Sequence, residues 1–334
     1  MIEVQGLTRY YGSFPAVRDA SFKIEDREIV GFLGLNGAGK STMLRVLAGL
    51  QMPSAGTVRV GGIDATLAPD ALRRRIGFLP EDPPLYREMR VAEFLRWVGQ
   101  VKGCTRAEVE AELPKVMETC QLTDTANAVI GELSHGYRKR VGIAQAIIHK
   151  PSVVILDEPI SGLDPRQIVE MRKVVRALKS FATVLISSHI LSEIAQTVDR
   201  ILVIHRGRIV AEGTEAQLSG SLGDGARLAV VVRGKLGACE ELLGKSELVD
   251  GYELTANGEL VDIAVTLRGD KREAFVKELV DAGLGVRQIQ DSMGELEQIF
   301  LELTRAAGAP AALESKQLRT PQGRESHDPK EADA

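Results

Sequence analysis

The stretch Ile29-Val-Gly-Phe-Leu33, followed at once by Gly34-Leu-Asn-Gly-Ala-Gly39-Lys40-Ser41-Thr42, decides the fold. Its first part is a nearly continuous apolar run, which is typical of a strand buried on both faces. The glycine-rich turn then leads into a helix predicted over residues 41–50, which is the context of a Walker A phosphate loop. The alternative is a flexible glycine turn, but four such constrained positions recur by chance in only about 1–2% of chains this long.

The residue types of this loop suit a nucleotide. Glycines allow backbone N–H groups to close around phosphates, and the helix N-terminus favours negative charge. In this motif the lysine, here Lys40, reaches the β- and γ-phosphates, and the hydroxyl of Ser41 completes the coordination of Mg²⁺. The sequence therefore predicts a phosphate site that works with Mg²⁺.

Two later segments provide candidate catalytic groups. Asp157 and Glu158 follow the apolar run 153–156, and ligands of parallel sheets bind at such strand ends. We expect Asp157 to support the metal and Glu158 to polarise the attacking water. A lone acidic pair could be the ordinary end of a strand. Because this pair follows a phosphate loop in the same chain, the catalytic interpretation is favoured. His189 follows another strand-like run; a lone histidine is more often structural, but at this edge it could contact the γ-phosphate or orient the water.

Composition narrows the class of protein. The chain has 334 residues, 42 Lys+Arg against 46 Asp+Glu, a net charge of −4 and three cysteines outside any CxxC pair. At about 150 residues per domain, this length predicts two domains. The charge gives no basic field for nucleic acid, and 4% aromatics argues against base stacking. The cysteines favour a reducing cytosol over a disulfide framework or a zinc ribbon.

The apolar stretches are too short for a membrane span. The N-terminus lacks the basic leader and apolar core of a signal peptide. The longest apolar runs, such as residues 153–156 and 184–186, are far below the roughly 18 residues that a spanning helix needs. We therefore expect a cytoplasmic chain that reaches a membrane only through a partner.

Periodicity predicts two domains of different type. Strands alternate with helices over residues 1–218, with a helical insert at about 85–148, which indicates a parallel sheet covered by helices. A glycine-rich linker is predicted at 219–225. Residues 226–305 then have the βαββαβ order of a ferredoxin-like unit and a terminal amphipathic helix at 295–304. Residues 306–334 have few large apolar groups, so a disordered tail is predicted.

A further segment, Leu133-Ser134-His135-Gly136-Tyr137-Arg138, precedes a predicted helix. Alone, Ser134 could simply cap that helix. Because it lies 23 residues before Asp157 in a chain with a phosphate loop, the segment resembles the LSGGQ signature of ATP-binding-cassette (ABC) proteins, departing from it at His135 and Tyr137. Residues 1–218 then resemble the complete ATP-binding subunit of an ABC transporter.

The resemblance implies a fold and a set of site residues. The fold is α/β, a P-loop ABC cassette with a mixed sheet and a helical subdomain, followed by the small α+β ferredoxin-like domain. Glu158 and His189, the switch histidine, match catalytic positions. The positions that match metal binding are Ser41, Glu81 and Asp157. The positions that match ATP binding are Tyr11 (adenine), Gly34, Asn36, Gly37, Ala38, Gly39, Lys40, Ser41, Thr42, Ser134, Gly136 and Asp164 (D-loop).

The pattern is also similar to a subgroup of the family. Glu81, in Leu-Pro-Glu-Asp, stands at the Q-loop position, where most relatives have Gln. This segment, the Ser-x-Gly-Tyr-Arg-x-Arg-Val-Gly segment and the C-terminal extension resemble type-2 ABC exporters of the gliding-motility and multidrug-export kind. That resemblance implies an exporter ATPase that binds ATP and Mg²⁺, pairs head to tail with a second cassette, and sits on the inner face of the membrane through a separate permease.

Other functions remain open at this stage. The main rival is a soluble ABC-type ATPase that acts in regulation, translation or DNA maintenance. Translation relatives usually have two cassettes, and DNA-maintenance relatives have long coiled-coil or zinc insertions, neither of which this sequence contains. The sequence does not name a transported substrate.

Overall fold

A computed structural model describes residues 1–220 and 227–291 of the chain. Within these ranges the strands form one six-stranded sheet and two four-stranded sheets. The six-stranded sheet and one four-stranded sheet belong to residues 1–213, and the other four-stranded sheet belongs to residues 227–291. No helix in the described ranges is long and apolar enough to cross a membrane.

The six-stranded sheet is the centre of the first unit. Its strands are β3 Ile29–Leu33, β6 Ile76–Leu79, β7 Val153–Leu156, β8 Thr183–Ser188, β9 Arg200–His205 and β10 Arg208–Gly213. They lie in the order β10-β9-β3-β8-β7-β6, and all neighbours are parallel except β10 and β9. Every residue of β3, β7 and β8 is buried. The ends of these three strands therefore meet at one edge, where the predicted site residues follow them.

An antiparallel sheet covers one side of the central sheet. Its strands are β1 Ile2–Tyr11, β2 Phe14–Ile24, β4 Ala55–Val60 and β5 Ile63–Asp64, in the order β2-β1-β4-β5. Its apolar side chains share a core with β3 and with α1 (Lys40–Leu47). The prediction extended this helix to residue 50, which is wrong. It ends earlier because Gly49 adopts φ +68, a left-handed conformation that terminates helices.

Helices cover the other side. They are α3 Val91–Val101, α4 Arg106–Thr119, α5 His135–Ile147, α6 Pro165–Leu178, α7 Leu191–Ile194 and α8 Glu215–Gly220. Helix α2 Pro69–Arg75 instead places Leu72 in the core that the antiparallel sheet shares with β3 and α1. The region predicted as a helical insert contains α3, α4 and α5, with short 3₁₀ turns between α4 and α5. Apolar faces of α3 to α6 pack in one core with β7 and β8. Helix α5 also packs on β6 and β7, with Gly142 against Leu79 and Ala146 against Gly77, so the helix is held against the central sheet.

The second unit has its own small core. Its elements are β11 Arg227–Arg233, α9 Leu236–Lys245, β12 Val249–Asn257, β13 Leu260–Leu267, α10 Arg272–Asp281 and β14 Gly285–Asp291. Along the chain these elements follow the βαββαβ order that the sequence predicts. In the sheet the strands are antiparallel and lie in the order β12-β13-β11-β14. Phe275, Leu279 and Cys239 bury the helices against the sheet.

The predicted domain limits are only partly within the described residues. Helix α8 runs to Gly220, so the first two residues of the predicted linker at 219–225 are helical. The rest of that linker, the predicted helix at 295–304 and the predicted tail at 306–334 lie outside the described residues. These limits stay predictions.

Candidate functional site

The phosphate loop joins β3 to α1 and is held tightly by its neighbours. A Cβ atom added to Gly39, which has φ +106, would lie 2.4 Å from the carbonyl oxygen of Ala16. At Gly34 an added Cβ would lie 2.6 Å from the carbonyl oxygen of Ile204. The amide of Gly207 donates to the carbonyl of Ala38 at 2.8 Å. These contacts argue against a free glycine turn, because two of the glycines are required by close packing.

Lys40 begins α1 and its side chain is buried, with 6% exposed. Its Nζ donates to the carbonyl of Gly34 at 2.6 Å and lies 3.4 Å from Glu158 Oε1. A buried ammonium needs such partners because desolvation of an unpaired charge is very costly. The lysine of the loop and the carboxylate after β7 are therefore part of the same site, although 118 positions separate them.

A group of oxygen atoms lies beside the loop, at the end of β7. Ser41 Oγ donates to Asp157 Oδ1 at 3.1 Å, and Ser187 Oγ donates to the same oxygen at 2.6 Å. Ser187 Oγ also accepts from the amide of Glu158 at 2.8 Å. Ser187 was missed by sequence reasoning, since only the strand order shows that the end of β8 lies beside the end of β7.

Glu158 and His189 contact each other directly. The Nδ1 atom of His189 is 3.1 Å from Glu158 Oε2. Glu158 has φ +48, an uncommon conformation for a residue with a side chain, and its other carboxylate oxygen faces Lys40. The strain is tolerated because the backbone of Glu158 is held by Ser187 and its carboxylate by two cationic or titratable groups. This is the arrangement expected of a base oriented by a second group.

These side chains surround an open pocket of about 560 Å³. It is lined by Tyr11, Phe14, Ala16, Leu35, Asn36, Gly37, Gly39, Lys40, Ser41, Thr42, Glu81, Glu158, Ser161 and His189. Most of the predicted site residues are therefore brought together. The pocket lining does not include three other predicted residues, which are Gly34, Ala38 and Asp157.

The mouth of the pocket has aromatic walls. Tyr11 is half-exposed, donates its hydroxyl to Gln51 Oε1 at 2.7 Å and has the guanidinium of Arg9 over its ring at 5.2 Å. Phe14, 61% exposed, lies across the β1–β2 turn and was not predicted. An exposed aromatic ring beside a phosphate loop suits stacking on a nucleobase. The only sequence signal for Phe14 was its closeness to Tyr11.

Glu81 lines the pocket from the segment after β6. Its carbonyl accepts a short hydrogen bond from Nζ of Lys139, and the same Nζ donates to the carbonyl of Glu158 at 3.2 Å. Lys139 belongs to α5 and is 2% exposed. Burial lowers its pKa below the ordinary value, while the nearby carboxylates oppose that shift. Sequence reasoning did not single out Lys139, because nothing in its local pattern distinguishes it from a surface lysine.

Three predicted ATP-binding residues do not reach this pocket. Ser134 Oγ caps α5 by accepting from the amide of Tyr137 at 3.4 Å, and Asp164 Oδ1 caps α6 by accepting from Arg166 and Gln167 amides. An added Cβ on Gly136 would meet Gln167 Oε1 at 2.4 Å. Ser134, His135, Gly136, Gly162 and Asp164 form a second group at the starts of α5 and α6, here called the signature cluster. None of the five lines the pocket within the described chain.

Comparison with known proteins agrees with this geometry. Residues 17–161 match the family model described as ABC transporter. The chain is 33% identical over 307 residues to the uncharacterized ABC transporter ATP-binding protein YxlF of Bacillus subtilis (strain 168), covering 92% of this chain and 100% of that protein. It is 34% identical over 313 residues to the daunorubicin/doxorubicin resistance ATP-binding protein DrrA of Streptomyces peucetius, covering 93% of each.

A solved structure shares the fold of the first unit. The ATP-binding subunit of an ABC transporter aligns with TM-score 0.60 and 31% identity, covering 66% of this chain and 93% of that one. The predicted P-loop ABC cassette is thus confirmed. This chain belongs to the ABC transporter family, as an ATP-binding subunit that contains one ATPase cassette.

Proposed function

We propose that this chain binds and hydrolyses ATP as the energy-coupling subunit of an ABC exporter that has a separate membrane permease. The observation that carries the proposal is the convergence of Lys40, Glu158 and His189 on one pocket beside the phosphate loop, where Ser41 of the loop donates to Asp157. The name of the relative DrrA, a drug-resistance ATP-binding protein matched over nearly its whole length, supports the exporter class.

The pocket fits a nucleoside triphosphate with Mg²⁺. Backbone amides of the loop, the N-terminus of α1 and Lys40 would hold the phosphates, and Tyr11 would stack on adenine. Within residues 1–220 and 227–291, no group of three His, Cys, Asp or Glu side chains forms a metal site by itself. Mg²⁺ commonly binds through one or two protein oxygens plus substrate phosphates, and Ser41, Asp157 and Glu81 provide such oxygens. When bound, the ion would neutralise charge on the β- and γ-phosphates.

Hydrolysis requires a water molecule in line with the bond between the γ-phosphorus and the bridging oxygen. In the proposed mechanism the carboxylate of Glu158 takes a proton from that water while the new bond between water oxygen and phosphorus forms. The bond to the bridging oxygen breaks, and ADP leaves with that electron pair. His189 holds Glu158 in orientation through the 3.1 Å contact. Lys40 would stabilise charge on the departing phosphate oxygens.

The signature cluster gives a reason for pairing. We propose that two cassettes face each other head to tail, so that ATP lies between Lys40 of one subunit and Ser134, Gly136 and Asp164 of the other. The separation of these residues from the pocket in one chain supports this arrangement. Loss of the γ-phosphate would remove the contacts that join the two halves, and the dimer would open. That opening would move a permease held near Glu81 on the inner face of the cell membrane.

Reconstitution of the complex tests the proposal. The first step is to search the reading frames beside this gene for a multispanning protein. Such a protein would be co-expressed with the chain, purified with it in detergent and placed in lipid vesicles. We expect ATP hydrolysis that the multispanning protein stimulates and that the Glu158→Gln variant abolishes. Retention on ribosomes or DNA, with no stable complex with the multispanning protein, would instead favour the soluble ATPase and contradict the exporter.

A further inference from the structure

Lys139 is a buried cation to which the proposed mechanism gives no role. It lies in the first turns of α5, five residues after Ser134, and only 2% of it is exposed. A buried ammonium is retained only where hydrogen bonds and opposite charges compensate its lost hydration. The partners of Lys139 therefore indicate what its charge does.

Its hydrogen bonds join two segments of the nucleotide pocket. Nζ donates to the main-chain carbonyls of Glu81 and Glu158. Those segments leave neighbouring parallel strands, with Leu79 of β6 opposite Leu156 of β7, and the amide of Asp157 donates to the carbonyl of Leu79 at 2.9 Å. One ammonium on α5 thus fixes the spacing between the Q-loop position and the proposed base.

The charges around Lys139 are all negative side chains of the same two segments. Glu81, Asp82, Asp157 and Glu158 each act on it electrostatically. Glu81 and Glu158 also line the pocket where the triphosphate would bind. A carboxylate at position 81 places a negative charge beside phosphates, and the buried ammonium of Lys139 donates to the main-chain carbonyl of that same residue.

We propose that Lys139 is a positioning residue for ATP hydrolysis, which holds the main chain of Glu158 beside that of Glu81 and whose charge offsets the Glu81 carboxylate. The inference rests on the proposed ATPase activity. It also accounts for a glutamate at the Q-loop position: the second cation makes the extra negative charge tolerable.

A purely structural role predicts something different. Lys139 donates to the main-chain carbonyl of Glu81. If this hydrogen bond had only a structural role, the effect of replacing Lys139 would not depend on the side chain at position 81. Charge compensation depends on that side chain. A double-mutant cycle between the two positions therefore separates the two roles.

The cycle uses the full chain with Lys139→Gln, Glu81→Gln and both changes together, and measures steady-state ATPase with Mg²⁺. We expect Lys139→Gln alone to lower kcat about tenfold, as loss of a charge-assisted hydrogen bond would. In the Glu81→Gln background we expect the same change to lower kcat about twofold or less, since the unbalanced carboxylate is then absent. Equal factors in the two backgrounds would overturn the proposal.

A second variant tests whether the loss of activity comes from loss of folding. Lys139→Met fills a similar volume without charge, and each variant is checked by thermal unfolding. The expected pattern is the same as for Lys139→Gln. Arg140→Gln is the matched control, since Arg140 is 3% exposed and pairs with Glu170 of α6 rather than with the pocket. Its effect on kcat is expected to be the same in both backgrounds, and a background-dependent effect would count against the proposal.

The ATPase function and the role of Lys139 can be contradicted separately. If the unsubstituted chain has no ATPase activity alone or with its permease, the proposed function and this inference both fall. If it hydrolyses ATP but the Lys139 and Glu81 effects are independent, only the inference falls.

Discussion

The nucleotide pocket and the signature cluster use the same kinds of side chain in opposite ways. In the pocket, Glu158 contacts both Lys40 and His189, and Asp157 accepts a hydrogen bond from Ser41 of the loop. In the signature cluster, Ser134 and Asp164 use their oxygens to cap helices, and neither contacts a charged group of the pocket. In this chain, therefore, the phosphate-binding residues are assembled in one pocket, whereas the signature cluster lies outside that pocket.

The difference has a geometric origin. The pocket residues follow β3, β7 and β8, which are adjacent in the central sheet and end at one edge. Ser134 and Asp164 stand at helix starts, where a short polar side chain folds back onto the backbone amides that it caps. Four predictions, in decreasing order of expected effect, test the pocket, the signature cluster and the packing around α5.

Glu158→Gln is expected to lower kcat for ATP hydrolysis about 10²–10³-fold, because it removes the proposed general base. ATP binding should remain, so the variant should accumulate as a dimer joined by ATP. Phosphate release and light scattering with and without ATP measure the two effects. Glu215→Gln, an acidic residue in the first turn of α8, is the control. Normal turnover by the Glu158 variant would remove that residue from the mechanism.

Lys40→Ala is expected to weaken ATP binding about 100-fold, because it deletes a buried cation that faces the phosphates. Isothermal titration calorimetry on the isolated chain measures the change. Lys173→Ala, on the exposed face of α6, removes an equal charge outside the pocket and should leave affinity unchanged. An unchanged dissociation constant for the Lys40 variant would mean that the pocket is not the triphosphate site.

Ser134→Ala separates helix capping from a role in ATP hydrolysis. Loss of the cap should cost about 1 kcal/mol of unfolding free energy, measured with urea. Thr105→Ala removes the capping box of α4 and should cost about as much. If the signature cluster completes a partner's site, only Ser134→Ala should lower ATPase activity, by about tenfold for one lost hydrogen bond to phosphate. If both variants lost ATPase activity equally, Ser134 would act only as a helix cap.

His149 follows the end of α5 and does not line the pocket. Its Nε2 lies 3.2 Å from the carbonyl of Ile76 in β6, and burial lowers its pKa to about 4. The unfolded chain, with an ordinary histidine pKa near 6.5, takes up a proton as pH falls below that value, whereas the folded chain does not. Folding stability from this group is thus lost as the pH decreases from about 6.5 towards 4.

Between pH 7 and pH 6 the unsubstituted chain should therefore lose about 0.5–1 kcal/mol more unfolding free energy than His149→Gln. Urea unfolding at the two pH values measures this difference. Identical pH dependence for the unsubstituted chain and the His149 variant would show that this histidine is not buried as a neutral group.

Much of the first unit could be predicted from local sequence. β3, β7 and the phosphate loop are continuous stretches whose residue types act on their own neighbours, so the strand and the loop were placed correctly. The prediction placed the end of α1 three residues too late because it continued the helix through Gly49, whose backbone is left-handed at φ +68. Ser187 and Lys139 were missed because their partners are distant in sequence.

The sequence by itself determined the class of protein: a phosphate loop after a buried strand, an acidic pair, a signature and a histidine in fixed order. Such motifs are readable because backbone conformation and residue chemistry act over a few neighbouring positions. Only the tertiary structure decided which side chains share a site. The strand order β10-β9-β3-β8-β7-β6 differs from the chain order and brings Ser187 to Asp157. The packing of α5 on β6 and β7 joins Lys139 to Glu81 and Glu158, while Ser134 at the start of that helix stays outside the pocket.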